Sequence, residues 1–128
     1  MSSVEGYSVL SGGREVKRYC RTMELKDSPE LIAEYRKRHD EKHIWREVLE
    51  GIREVGILEM EIYLFGTRLF MIVETPVDFD WDTAMARLAA LPRQAEWEEY
   101  MSLFQQCESG QSAVEKWHLM ERIFRLYD

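Results

Sequence analysis

The sequence is poor in cysteine and has no long hydrophobic run. Only two of the 128 residues are cysteines, Cys20 and Cys107, and their spacing matches no metal-binding pattern. No apolar stretch approaches about 20 residues, the length that a membrane-spanning helix needs. The N-terminus lacks a basic start followed by an apolar run, which distinguishes it from a secretory signal. We therefore expect a cytoplasmic protein with reduced thiols and no membrane partner.

Positive charge is also in deficit. The chain has 17 lysines and arginines against 24 aspartates and glutamates, which gives a net charge of −7. Binding the phosphate backbone of a nucleic acid requires clustered positive charge, so no nucleic-acid partner is expected. The length fits one domain. We predict that residues 1–15, rich in serine and glycine, form a flexible extension and that residues 16–128 form a single domain.

The hydrophobic pattern predicts elements in the order β-α-β-β-α-β. The predicted strands cover residues 16–25, 57–65, 68–75 and 116–127. The predicted helical segments cover residues 29–55, 81–91 and 93–106, with Pro92 separating the last two. Ser28 is the expected N-cap of the first helix, because Pro29 follows it at the first helical position, where its missing N–H costs nothing. Gly66 and Thr67 are the expected turn of a hairpin.

This order is that of a ferredoxin-like α+β fold, a four-stranded antiparallel sheet with helices packed on one face. Large apolar residues occur on both sides of the predicted strands: Tyr19, Tyr63, Phe70, Ile72 and Phe124. A sheet with two apolar faces needs a second layer of protein to bury the face that the helices leave exposed. We therefore expect a homodimer of the dimeric α/β-barrel type.

The densest chemical candidate is a tyrosine and a histidine on the first helix. Tyr35 and His39 are four residues apart and share one helical face. A histidine exchanges a proton near neutral pH, and a neighbouring hydroxyl holds a substrate oxygen. The pattern alone is equally typical of amphipathic residues at the edge of a core. His43 lies another four residues on, but no third ligand is suitably spaced, so no metal is predicted.

A second candidate is the pair Trp97 and Glu98 in the late helical segment. Sugars are held by aromatic rings against their C–H faces and by carboxylates on their hydroxyls, and this pair supplies both. A core tryptophan beside a surface glutamate gives the same sequence. No glycine-rich phosphate loop or nucleophile elbow is present.

Several short motifs, in shared order, resemble the L-rhamnose mutarotase family. One is Tyr35-x-x-x-His39 followed by Trp45-x-Glu47. Others, similar to a branch of the family associated with L-fucose, lie at 60–63, 67–71, 96–98 and 115–120. The likeness covers about residues 18 to 127 and leaves the N-terminal extension unmatched.

The resemblance implies a dimer with a monosaccharide site in each subunit and no cofactor. It places the acid/base histidine on His39 and a sugar-contacting tyrosine on Tyr35. Met60 stands where the rhamnose enzymes carry a second tyrosine, and Trp97 with Glu98 stands where they carry paired tryptophans. These departures favour L-fucose over L-rhamnose as the sugar whose α and β anomers are interconverted.

Three alternatives remain open. The segment from His39 to Trp45 is about two residues longer than in the family, so His43 is an alternative acid/base residue. The same pattern would also serve a non-catalytic dimeric ferredoxin-like module that binds a small ligand. A haem-degrading or oxygenase-type enzyme shares this architecture as well, because fold does not determine function.

Overall fold

The computed structural model describes residue 7, residues 15–106 and residues 116–127. The elements in chain order are β1 (Lys17–Glu24), α1 (Pro29–Arg38), α2 (Arg46–Glu54), β2 (Glu59–Phe65), β3 (Arg68–Thr75), α3 (Trp81–Ala89), α4 (Gln94–Met101) and β4 (His118–Leu119). The strand order is β2-β3-β1-β4 and every pairing is antiparallel. This order confirms the predicted ferredoxin-like α+β fold. Nearly all of the predicted extension, and Cys107, lie outside the described residues.

Local signals place the first helix and the hairpin as predicted. The Ser28 hydroxyl accepts a hydrogen bond from the Leu31 N–H at 3.3 Å, and Pro29 occupies the first helical position. Strands β2 and β3 pair from Glu59–Glu74 to Phe65–Arg68. Gly66 begins their turn at a φ of 62°, a left-handed conformation that glycine adopts without steric cost.

The prediction of one continuous helix over 29–55 is wrong. Helix α1 ends at Arg38, and α2 begins only at Arg46. The Asp40 carboxylate accepts hydrogen bonds from the N–H groups of Lys42 and His43 at 2.9 and 3.0 Å. An aspartate side chain that captures nearby N–H groups competes with helical hydrogen bonding, and here it stabilises a turn between the two helices.

Two predictions in the C-terminal part of the chain also need correction. The helix predicted over 93–106 covers only 94–101, because the chain then turns and Gln105 bridges to Leu25. The strand predicted over 116–127 is wrong beyond two residues. Only His118 and Leu119 form a ladder with β1, at the edge of the sheet, and the Met120 N–H adds one hydrogen bond to the Cys20 carbonyl at 2.7 Å. Residues 121–127 continue without a strand partner among the described residues. Alternating polar and apolar residues indicate an extended segment. Such a segment becomes a strand of the sheet only where its backbone hydrogen-bonds to the edge of a neighbouring strand.

The core lies between the helices and one face of the sheet. It consists of two clusters, one around Met23, Leu69 and Trp97 and the other around Val73 and Leu88. The opposite sheet face is mixed rather than uniformly apolar. It carries ion pairs between Arg18 and Glu74 and between Arg68 and Glu24, at 2.7 and 2.8 Å, beside half-buried Tyr63, Phe70 and Ile72. Tyr19 lies on the helical side, against Phe79 and Trp81.

Candidate active site

A cavity of about 650 Å³ lies between the helices and the sheet. Its volume is in the range typical of small-molecule sites. Five residues singled out from the sequence line it: Tyr35, His39, Met60, Trp97 and Glu98. They come from α1, β2 and α4, so the fold brings together side chains that are more than sixty positions apart. Their roles toward a substrate remain predictions.

His39 occupies the C-cap of α1 and holds a defined orientation. Its Nδ1 lies 2.8 Å from the carbonyl oxygen of Tyr35. A carbonyl only accepts, so Nδ1 carries the proton and Nε2 is left with its lone pair. The imidazole also contacts the rings of Tyr35 and Trp97, at centroid distances of 4.3 and 5.4 Å. His39 is therefore positioned to accept a proton through Nε2.

Burial determines the protonation state of His39. It lowers the pKa of the imidazole below the ordinary value of 6.5, because an apolar environment disfavours the charged form; the hydrogen bond to Tyr35 opposes this effect in part. At neutral pH the ring is consequently uncharged. A neutral imidazole is the form that a general base requires.

His43 lies in the turn after α1 and does not line the cavity. Its Nδ1 lies 2.7 Å from Asp40 Oδ1. The hydrogen bond from His43 lowers the pKa of the Asp40 carboxyl. The extra residues before Trp45 thus form a capped turn that holds His43 on the protein surface. Geometry favours His39 over His43 as the proton-transfer group.

Tyr35 is buried beside His39 and hydrogen-bonds with Gln105. Burial raises the pKa of its phenol well above the ordinary value of 10, because the phenolate would lack water. Tyr35 therefore remains a neutral hydroxyl at any physiological pH. It can donate or accept a hydrogen bond at a sugar oxygen but cannot serve as a base.

Neighbouring aromatic side chains hold Trp97 in place at the cavity wall. Trp45 contacts Trp97 at 5.2 Å and stacks against Tyr100 at 5.8 Å. The Arg93 guanidinium lies 3.9 Å above the Trp45 ring on the other side, a cation–π contact. Trp97 is thereby held between His39 and Trp45, with its ring in the wall of the cavity.

Glu98 follows Trp97 on α4 and is fixed by its neighbours. Its Oε2 accepts a hydrogen bond from Gln94 Nε2 at 3.0 Å. Its backbone carbonyl accepts from the buried Lys116 at 2.7 Å, and Lys116 also donates to the Ser102 hydroxyl at 2.7 Å. The carboxylate therefore lies at the cavity in a defined position, suited to accepting hydrogen bonds from hydroxyl groups.

Sequence reasoning missed four residues that line the same cavity. Each has a buried side-chain polar atom without a hydrogen-bond partner in the described part of the chain: Arg21 Nε, Trp81 Nε1, Gln94 Oε1 and Gln105 Oε1. The one available signal was Arg21, a charged residue that interrupts the apolar alternation of β1. Two of these atoms are donors and two are acceptors. A ligand rich in hydroxyl groups, which both donate and accept, matches that set.

Within residues 15–106 and 116–127, no three His, Cys, Asp or Glu side chains are grouped as a metal site would need. None of the helices described there is long and apolar enough to cross a membrane.

Comparison with known proteins gives consistent matches. Residues 18–126 match the family model described as L-rhamnose mutarotase. An L-fucose mutarotase from Xanthomonas campestris is 37% identical over 111 residues, covering 87% of this chain and 89% of that protein. A UPF0734 protein from Dictyostelium discoideum is 40% identical over 93 residues, 72% of this chain and 73% of the relative. The crystal structure of an L-rhamnose mutarotase from Formosa agariphila shares the fold, with a TM-score of 0.65 at 20% identity, covering 87% of this chain and 99% of that one.

Proposed function

Because this chain belongs to the L-rhamnose mutarotase family and is a sugar mutarotase, an isomerase acting on carbohydrates, we propose that its substrate is a 6-deoxy-L-hexose, with L-fucose preferred over L-rhamnose. Two observations support this choice of sugar. The relative from Xanthomonas campestris is named an L-fucose mutarotase. Met60 and Glu98 line the cavity at the two positions where the sequence departs from the rhamnose enzymes. The family match also disfavours a non-catalytic module.

The observation that carries the mechanism is the fixed tautomer of a neutral His39 inside the cavity. Mutarotation requires that the anomeric hydroxyl lose a proton while the ring oxygen gains one. In our proposal His39 Nε2 accepts the anomeric proton, the bond between C1 and the ring oxygen breaks, and the imidazolium returns that proton to the ring oxygen. Rotation about C1–C2 and reclosure by the reverse steps give the other anomer.

The remaining cavity residues bind and orient the sugar in this proposal. Trp97 lies against its C–H face, Tyr35 and Glu98 hydrogen-bond to its hydroxyls, and Met60 contacts its apolar edge. The reaction transfers protons and breaks and reforms one C–O bond without any change of oxidation state, so acid–base groups are sufficient and the proposal includes no cofactor or metal. General acid–base catalysis of this kind typically contributes about 10²–10⁴-fold.

NMR exchange spectroscopy tests the function directly. We expect catalysed exchange between the α and β anomers of L-fucose, slower catalysis for L-rhamnose and none for D-glucose. The uncatalysed exchange of each sugar in the same buffer is subtracted. Equal rates for all three sugars, or none above the uncatalysed rate, would contradict the proposal.

The pH dependence should report the lowered pKa of His39. As pH falls, catalysed exchange should persist through 6.5, the ordinary histidine pKa, and decline only at lower pH, when Nε2 takes up a proton. An unfolded chain protonates His39 near 6.5, so it binds more protons than the folded chain between 6.5 and the lowered pKa. Stability should therefore fall as pH drops through that window.

Titration of the His39 ring proton by NMR measures this pKa. A His39 midpoint at or above 6.5 would refute the assignment of a buried neutral base. Denaturant unfolding of the wild type and His39→Gln at pH 7.5 and 5.5 tests the linkage, because the variant should lose part of the acid sensitivity.

We further propose that the protein is a cytoplasmic homodimer. The support is the C-terminal segment, in which Ile123 and Phe124 are 89% and 75% exposed and Leu126 and Tyr127 are also exposed. Such a run of exposed apolar side chains indicates a covering partner. The mixed sheet face opposite the helices provides a surface for a second copy. That residues 1–15 are a flexible extension to a single domain over 16–128 stays a prediction.

A further inference from the structure

A buried arginine in the cavity has no role in the mechanism described above. Arg21, in the middle of β1, is 8% exposed, and its guanidinium carbon lies 4.3 Å from the centre of the Trp81 ring. Its Nε has no hydrogen-bond partner, and no carboxylate of the described residues forms an ion pair with it. Burying a charge without a partner costs free energy, so the fold alone does not account for this residue.

The unpartnered polar atoms belong to two groups of contacting residues. Gln105 hydrogen-bonds with Tyr35 and Gln94 hydrogen-bonds with Glu98, so both contact residues already placed in the proposed site. Arg21 contacts Trp81 instead, and Trp81 packs against the second core cluster around Val73 and Leu88.

Because Arg21 and His39 line the same cavity, a sugar with its anomeric carbon at His39 would present its far hydroxyls to Arg21. The five N–H donors of a guanidinium lie in one plane and bind two neighbouring oxygens side by side. In L-fucose the C4 hydroxyl is axial beside an equatorial C3 hydroxyl, whereas in L-rhamnose both hydroxyls are equatorial. The C4 oxygen therefore points in a different direction in the two sugars, and a guanidinium held in place by Trp81 can meet the C3 and C4 oxygens together in only one of the two arrangements.

We propose that Arg21, held against Trp81, binds the C3 and C4 hydroxyls of the sugar and selects L-fucose over L-rhamnose. This inference rests on the proposed function, because it assumes a 6-deoxy-L-hexose in the cavity with C1 at His39. Arg21 is a specificity-determining residue in this view, and it takes no part in the proton transfer.

The decisive variant is Arg21→Met, which retains an unbranched apolar stem and removes the guanidinium with its charge and donors. The affinity for L-fucose should fall roughly 10- to 100-fold, as expected for lost hydrogen bonds to a charged group, whereas exchange at saturating L-fucose should change only a few-fold. The preference for L-fucose over L-rhamnose should largely disappear. Thermal stability without sugar should be retained or raised, because an uncompensated buried charge is removed.

Arg18→Met is the matched control. Arg18 lies on the same strand but on the opposite sheet face, where it pairs with Glu74. Its replacement should leave sugar affinity and sugar preference unchanged. A purely structural role for Arg21 predicts a different pattern, a lower melting temperature with the sugar preference intact.

A deoxy sugar identifies the contact itself. Wild type should bind 4-deoxy-L-fucose much more weakly than L-fucose, and Arg21→Met should bind the two about equally. The difference between these two ratios isolates the interaction between Arg21 and the C4 hydroxyl, in the manner of a double-mutant cycle. An unchanged ratio in Arg21→Met would overturn the inference.

Binding is measured by ligand-observed NMR and exchange is measured separately, so the two proposals fail differently. Exchange of L-fucose with unaltered affinity in Arg21→Met overturns the role of Arg21 and leaves the mutarotase proposal standing. Binding of L-fucose that depends on Arg21, without catalysed exchange, overturns the catalytic proposal and supports the role of Arg21. Absence of any binding of 6-deoxy-L-hexoses overturns both.

Discussion

Replacing His39 with alanine should slow catalysed exchange of L-fucose anomers by roughly 100-fold or more, in the range expected when a general acid–base group is lost. The neutral imidazole is the group at the cavity whose tautomer leaves a free nitrogen lone pair for the anomeric proton. Tyr35 cannot substitute for it, because burial keeps its phenol protonated. Exchange spectroscopy at saturating sugar measures this loss, and circular dichroism confirms that the variant is folded.

His43→Ala is the matched control for this experiment. His43 lies four residues further along the chain and contacts Asp40 outside the cavity, so its removal should change the rate less than a few-fold. His39→Gln provides a second variant that retains more of the ring volume beside Trp97, should the alanine variant unfold. A folded His39 variant with wild-type exchange would remove His39 from the mechanism, and an inactive His43→Ala would transfer the role to His43.

Replacing Ile123 and Phe124 together with glutamate should convert the protein from a dimer of 15.3 kDa chains to a monomer, or to an aggregate. Both side chains are more than 70% exposed in one chain, and burying charge at an apolar interface is strongly unfavourable. Sedimentation velocity at micromolar concentration measures the mass. The cost to a single isolated chain would be negligible, because neither side chain is part of the described core.

Leu103→Glu is the control for the assembly experiment. Leu103 is a similarly exposed apolar residue, but it lies in the turn after α4 on the helical layer. The dimer should survive this change. A wild-type protein that sediments as one 15.3 kDa chain would refute the dimer, and a dimer that tolerates both glutamates would show that the C-terminal segment is not its interface.

Local sequence signals were sufficient to predict most of the fold. The Ser28–Pro29 start of α1, the Gly66 turn and the two hairpin strands depend on neighbouring residues, and they lie where the sequence placed them. The order of the strands followed from the order of the elements. The long first helix failed because hydrophobic spacing alone does not register an aspartate that captures N–H groups, as Asp40 does.

The candidate site was predictable only in part. The four-residue spacing of Tyr35 and His39 determines that they share a helical face, and the adjacency of Trp97 and Glu98 is written in the sequence. Arg21 could be noticed as a charge in an apolar strand, but not assigned to a cavity. Whether a strand residue faces the helices or the other side depends on which face the helices cover.

The sequence by itself determined the order of elements, the main caps and turns, the family and a short set of candidate residues. These depend on interactions between residues that are close in the chain, or on motifs that can be read directly. Tertiary structure decided that His39 lies in the cavity while His43 stays at the surface, that Arg21 contacts Trp81, and that the C-terminal segment leaves the sheet after Met120. These outcomes depend on how α1, α3 and α4 pack on the sheet, and such long-range packing is not encoded in any local pattern.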